Sequence, residues 1–179
     1  PESPYGIAKL ATEFYLSYYG RVHGLEIAVL RYANVYGPRQ DPHGEAGVVA
    51  IFCERLLAGQ ALTVFGDGKQ TRDYVYVGDV ARANLLAAQT TLPAAGRIDD
   101  RAFNVGTGVP TSVLDLAGAL QRATGRPGSV VHASARPGEQ QRSYVQISKA
   151  SSVLGWAPAV ALDEGLRLTF EWFRSRQTS

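Results

Sequence analysis

The sequence predicts an α/β fold, and three observations carry that reading. Apolar runs of strand length alternate with helical apolar patterns along the whole chain. One run, Leu25 to Tyr32 (LEIAVLRY), is nearly continuously apolar and rich in branched residues, as in a strand buried on both faces. Ahead of it, Ser3 and Pro4 announce a helix: serine caps the free N–H groups, and proline suits the first helical position.

That first helix runs through Tyr5, Lys9, Glu13 and Leu16 and is expected to end near Gly20. After the strand, Asn34 to Gly44 reads as a long loop, broken by Gly37-Pro38 and Asp41-Pro42. Val48 to Leu57 carries a helical apolar pattern that stops at Gly59. Ala61 to Phe65 and Tyr74 to Val77 look like short strands around the turn Gly66-Asp67-Gly68. Asp79 to Ala88 is a helix rich in alanine and leucine, Pro93 to Arg101 a polar loop and Ala102 to Val105 a strand. Ser112 can cap a helix that ends at Gly125. Val130 to Ala133 is a further strand and Arg136 to Arg142 is polar and turn-like. Ser148 can open a short helix to Leu154, and the last helix spans Leu162 to Arg174.

With 179 residues the chain suits one domain, or part of a larger one, and can bury a real core. Its net charge of +2 is too balanced for a nucleic-acid footprint. The single cysteine, Cys53, excludes an internal disulfide and fits a reducing compartment. No apolar run approaches the roughly 20 residues of a membrane span, and no signal peptide opens the chain, so a cytoplasmic protein is expected. All the basic residues but Lys9, Lys69 and Lys149 are arginine, whose planar fork suits phosphate; genomic base composition is the blander cause. The chain starts without Met and almost directly on a helix, so a fragment is expected.

The first motif with chemistry in it is Tyr5-x-x-x-Lys9. Four residues apart on a helix, the two side chains share one face. A phenol titrates near pH 10, so it needs a nearby cation to act as a base at neutral pH. Alone, the same spacing equally describes an ordinary surface pair. Five further segments give it a setting: Leu30-Arg31-Tyr32-Ala33-Asn34-Val35-Tyr36-Gly37-Pro38-Arg39-Gln40; Gly66-Asp67-Gly68-Lys69-Gln70-Thr71-Arg72-Asp73-Tyr74-Val75-Tyr76-Val77; Asn104-x-Gly106-Thr107-Gly108; Arg136-Pro137-Gly138-Glu139; and Ser148-Lys149-Ala150 with Leu154-Gly155-Trp156. With the opening Pro1-x-Ser3-Pro4-Tyr5-Gly6-x-x-Lys9, this order resembles the extended short-chain dehydrogenases that act on nucleotide sugars, the NAD-dependent epimerases and dehydratases, and among them the UDP-hexose 4-epimerases.

The resemblance implies the C-terminal part of a Rossmann-type enzyme together with its α/β substrate-binding subdomain. Residues 1–40 would be the last Rossmann portion. Residues 41–179 would be mainly the substrate subdomain, with some segments returning to the Rossmann sheet. It also implies a reaction. Tyr5 would take the proton of the sugar 4-hydroxyl while the C4 hydride passes to NAD, and the 4-keto sugar would turn and receive the hydride on its other face. Lys9 would hold the nicotinamide ribose and depress the pKa of Tyr5, with Tyr32 near the nicotinamide. Asn34, Arg72 and Arg136 would hold the two phosphates. Gly47 and Val48 would meet the nucleotide through the backbone, Thr63 and Phe65 the uracil, and Glu139 the ribose. Taken alone, Arg72 reads as an ion pair with Asp73, Arg136 as a solvated loop residue and Phe65 as strand packing. Ser143 matches a site at the rim of the hexose pocket, where a small residue leaves room for UDP-N-acetylhexosamines beside UDP-glucose and UDP-galactose.

The chain departs from the family in lacking the glycine-rich turn that receives the NAD pyrophosphate, and the catalytic Ser or Thr that lies ahead of the tyrosine. Gln146 stands where relatives often carry an acid. The expectation is therefore half an enzyme, inactive alone, with the N-terminal NAD-binding half absent. One edge of the Leu25–Tyr32 strand and the apolar face of the Tyr5 helix would then be open, favouring a homodimer or association with that other half. The alternatives are a nucleotide-sugar 4,6-dehydratase, a UDP-glucuronate decarboxylase, or a non-catalytic nucleotide-sugar-binding or self-associating module. His23, His43 and His132 show no ligand spacing, so no metal is expected. Cys53 reads as core, Trp156 and Trp172 as packing anchors, and Tyr15, Tyr18 and Tyr19 as core or a partner face.

Overall fold

A computed structural model describes residues 3–43, 47–94 and 96–177. Pro1, which begins the first motif, and Gly44, at the end of the expected loop, lie outside the described residues. In order, the elements are α1 (Pro4–His23), β1 (Val29–Tyr32), β2 (Asn34–Tyr36), α2 (Val48–Leu57), β3 (Leu62–Phe65), β4 (Thr71–Arg72), β5 (Tyr74–Tyr76), α3 (Val77–Gln89), β6 (Ala102–Val105), β7 (Thr111–Ser112), α4 (Val113–Thr124), β8 (Val130–Ala133), α5 (Ser148–Leu154) and α6 (Leu162–Gln177). Four strand pairs form: β1 with β6, β2 with β5 and β3 with β8 are parallel, and β4 with β7 is antiparallel. Parallel pairs joined through helices make this an α/β fold, as the sequence predicts.

The chain changes partners at Ala33. Up to Tyr32 it pairs with β6, and from Asn34 it pairs with β5. Ala33 N–H donates to Val105 O on one side, and Asn34 N–H donates to Asp73 O on the other. Asp73 closes this fork. Its fully buried carboxylate accepts from the Thr107 N–H (2.7 Å), the Thr107 hydroxyl (2.6 Å), the Gly108 N–H (2.9 Å) and the Val145 N–H (3.4 Å). Gly106 leaves room for it: a Cβ there would lie 2.5 Å from both Asp73 Oδ2 and Val145 Cγ2.

Two apolar clusters flank the fork. One joins α2, β3, α4 and α6 around Phe52, Leu62, Leu116, Leu120, Leu166 and Phe170. The other joins β5, β6, α3 and α5 around Val75, Phe103, Val105 and Trp156. Trp156 is a packing anchor, fully buried, and its indole N–H donates to Asp79 O. The buried Asp79 carboxylate in turn accepts from the N–H groups of Ala159 and Val160 and from Arg82, tying α3 to the approach of α6. Cys53 is core, and burial pushes its thiol up to about 12.

Several expectations change. Helix α1 passes Gly20 and ends at Gly24, which takes the left-handed conformation (φ 65°); Gly20 instead lets Ile27 approach the helix. The strand expected over Leu25–Tyr32 shortens to Val29–Tyr32, and none of it is fully buried, because β6 is its one partner among the described residues. The loop expected from Asn34 begins with a strand, β2, whose three residues show no periodicity and are fixed by their partner β5. The strands flanking Gly66-Asp67-Gly68 are no hairpin: β3 pairs with β8 and β5 with β2. The two-residue strands β4 and β7 hold each other and are too short to carry a pattern. Helix α5 runs from Ser148 to Leu154 as expected, whereas α6 runs on past Arg174.

Replacing Asp73 with Asn sets an NH2 group against backbone donors in a buried site. Asp73→Asn is expected to cost about 3 kcal/mol of stability, read by urea denaturation. Wild-type stability would refute the role given to this carboxylate.

Candidate functional site

Beside the fork opens a cavity of about 410 Å3, within the range of small-molecule sites. Eight of the residues singled out in the sequence line it: Asn34, Gly47, Val48, Thr63, Phe65, Arg72, Arg136 and Glu139. They come from five separate segments. Asn34 opens β2, Gly47 and Val48 form the start of α2, Thr63 and Phe65 share one face of β3, Arg72 ends β4, and Arg136 and Glu139 follow β8. Alternation along β3 buries Leu62 and Val64 in the core and turns Thr63 and Phe65 to the cavity.

The electrostatics are set by two arginines and one acid. Arg72 does not pair with Asp73, which is spent on Thr107, Gly108 and Val145. Its Nη1 donates to Thr71 O (2.9 Å) and Gln140 O (2.7 Å), and its Nη2 lies 3.6 Å from Glu139 Oε1. Arg136 is exposed and sits over the Phe65 ring, 3.9 Å from its centroid. This wall therefore offers fixed cations, an aromatic face and a carboxylate, the set that suits a phosphorylated ligand carrying a ring and hydroxyls.

The remaining candidates lie elsewhere. Tyr5 is 66% exposed on α1, with Lys9 Nζ 5.3 Å from its ring centroid. Tyr32 ends β1, and its hydroxyl donates to Asn84 Oδ1 (2.9 Å). Ser143 does not line this cavity; its N–H donates to Thr71 O, beside Arg72, and neighbouring Tyr144 is 50% exposed. His23, His43 and His132 are exposed, and among the described residues no three His, Cys, Asp or Glu side chains come together as a metal site. No described helix is long and apolar enough to cross a membrane.

Sequence reasoning missed Gln40, Arg55, Gln70 and Tyr74, which also line the cavity. Gln40 belongs to a quoted motif; its Nε2 donates to Val35 O, and its amide occupies the space that a Cβ on residue 47 would need. Gln70 also lies in a quoted motif, buried, with its amide donating to Phe65 O. Arg55 left no signal, since it reads as the polar side of an amphipathic helix. Tyr74 is 5% exposed with an unpartnered hydroxyl, and burial pushes its phenol up to about 12, against the pull of Arg72.

Because folding holds Tyr74 neutral, its contribution is present below the ordinary phenol value of 10.0 and is lost as pH rises toward about 12. Tyrosinate absorbance in an alkaline titration is expected to show a late-ionising phenol that Tyr74→Phe removes. Nine phenols ionising together near pH 10 in the folded chain would contradict this.

Known proteins resemble this chain in sequence and fold. Residues 1–106 match the NAD dependent epimerase/dehydratase family. The chain is 49% identical over 176 residues to a UDP-glucose 4-epimerase of Mycolicibacterium smegmatis, covering 98% of this chain and 54% of that protein. It is 45% identical over 175 residues to a putative UDP-glucose 4-epimerase of Methanocaldococcus jannaschii, with the same two coverages. The crystal structure of a UDP-glucose 4-epimerase from Thermotoga maritima with UDP-glucose superposes with a TM-score of 0.89 at 51% identity, over 98% of this chain and 54% of that one. The chain thus spans about half the length of these relatives. On the family match, and on the fold these proteins share with it, the chain belongs to the NAD dependent epimerase/dehydratase family.

Proposed function

We propose that the chain is the C-terminal, substrate-binding part of an NAD-dependent UDP-hexose 4-epimerase. The observation that carries this reading is the cavity itself: four segments distant in sequence bring Asn34, Arg72, Arg136, Glu139, Thr63 and Phe65 to its lining. Asn34, Arg72 and Arg136 would hold the diphosphate and Glu139 a ribose hydroxyl. Phe65 and Thr63 would hold the uracil, with Gly47 and Val48 closing on the nucleotide through their backbone. The small Ser143, whose N–H donates to Thr71 O beside Arg72, would leave room at the sugar for an N-acetyl group, so UDP-N-acetylhexosamines belong with UDP-glucose and UDP-galactose as candidate substrates.

Tyr5 and Lys9 fit the NAD side of such a site. They share one exposed face of α1, and Lys9 has no ion pair among the described residues, so both are free to meet a ligand. Bound NAD would supply the two-electron acceptor and donor at C4 of the sugar. Tyr5 would take the proton of the 4-hydroxyl and return one to the 4-keto sugar after it turns. Lys9 would hold the nicotinamide ribose, and Tyr32 would stand near the nicotinamide. No glycine-rich turn for the pyrophosphate occurs in this sequence, so the rest of the NAD site, and catalysis, would come from the remainder of the parent enzyme. The open edge of β1 and the exposed Phe14, Tyr15, Tyr18 and Tyr19 of α1 suit a homodimer or contact with that remainder.

The test is calorimetric titration of the 179-residue chain with UDP-glucose. Binding is expected, with Arg72→Ala weakening it about tenfold or more through loss of a charge-assisted contact. Equal affinity in the variant, or no binding to the folded wild type, would overturn the reading.

A further inference from the structure

The base end of the cavity has a feature that the sequence did not show. Arg55 reaches across from α2, and its Nη1 donates to Thr63 Oγ1 (2.8 Å) and to Ala61 O (3.0 Å). The Ala61 carbonyl fixes where the guanidinium stands, so the bond to Thr63 is built in rather than adventitious. A threonine hydroxyl has one hydrogen and two lone pairs, and here a lone pair is taken by Arg55. No acceptor among the described residues takes the hydrogen. The guanidinium charge turns the hydroxyl dipole so that this hydrogen points away from Arg55, and Arg55 has only donors. Both side chains line the cavity on the wall that also carries the Phe65 ring. The edge of a flat ring lying in the cavity beside Thr63 therefore meets hydrogens and positive potential at this spot.

We propose that Arg55 and Thr63 select the base of the ligand, accepting a pyrimidine with a carbonyl at position 4 and rejecting one with an amino group there. Thr63 is the contacting residue, and Arg55 is a positioning residue that acts by orienting the threonine hydroxyl. This deepens the uridine-nucleotide reading and rests on it. Uracil presents an acceptor to the Thr63 hydrogen. Cytosine presents N–H hydrogens to a hydrogen and a cation, leaving donors facing donors.

UDP and CDP make the cleanest pair of ligands, since their bases differ only around position 4. Titrated into the full 179-residue chain, UDP is expected to bind about tenfold or more tightly than CDP, a ratio set by one good hydrogen bond against one unpaired donor. Thr63→Val, which keeps the side-chain shape, is expected to bring the ratio below about threefold, whereas Thr63→Ser keeps it. Arg55→Met is expected to lower the ratio too, because the freed hydroxyl can turn and accept from the cytosine amino group. A merely structural role would change both affinities together and leave the ratio alone. Equal wild-type affinity for UDP and CDP overturns the proposal, as does an unchanged ratio in both Thr63→Val and Arg55→Met. If UDP binds and is lost on Arg72→Ala while the ratio stays flat, the uridine-site reading stands and this inference alone falls. If neither nucleotide binds the folded wild type, both fall.

Discussion

The arrangement depends on one buried carboxylate. The extended segment from Val29 to Tyr36 pairs first with β6 and then with β5, and a chain that splits two strands in this way leaves backbone donors without partners at the fork. Asp73 supplies them. It spends both oxygens on Thr107, Gly108 and Val145. That commitment has a consequence next door: Arg72 has no claim on Asp73 and is held instead by Thr71 O and Gln140 O, within reach of Glu139. The fork and the charge pattern of the cavity are thus one piece of construction.

Around it the molecule divides into a well-packed body and an open face. The body has two apolar clusters joined through β5. The open face is α1, which buries none of its residues and is tied to the body by the pair Glu13–Arg31, with Arg31 also held by Asp99. Tyr5 and Lys9 stand on that helix, so the groups assigned to proton transfer sit on the element with the least packing of its own. Groups assigned to substrate binding sit on several segments around the packed body. In the proposed reading this split follows function, since α1 and β1 present surfaces that the remainder of the parent enzyme would cover.

Much of this was legible in the sequence because helix signals are local. Ser3, Ser112 and Gly125 carry their caps in one or two residues, and α2 and β6 fall where their apolar patterns end. What escaped was non-local. Three residues of β2 and two each of β4 and β7 exist only through partners tens of residues away. In the site, Asn34, Arg72, Arg136 and Glu139 were found through ordered motifs, and the fold brings them together. Arg55 could not be found that way. It sits in an ordinary amphipathic helix, and its meaning comes from a bond to Thr63 across the cavity wall. Nor could the sequence decide between the two readings of Arg72, because the true partners of Asp73 lie more than 30 residues further on.

The most direct test is amide hydrogen exchange followed residue by residue. If the Asp73 carboxylate holds the fork, the N–H groups of Thr107 and Gly108 exchange only through global unfolding, as slowly as the core amides of β6, although they lie in a loop. Exchange of these two amides at the rate of exposed loop residues, with β6 still protected, would contradict the account.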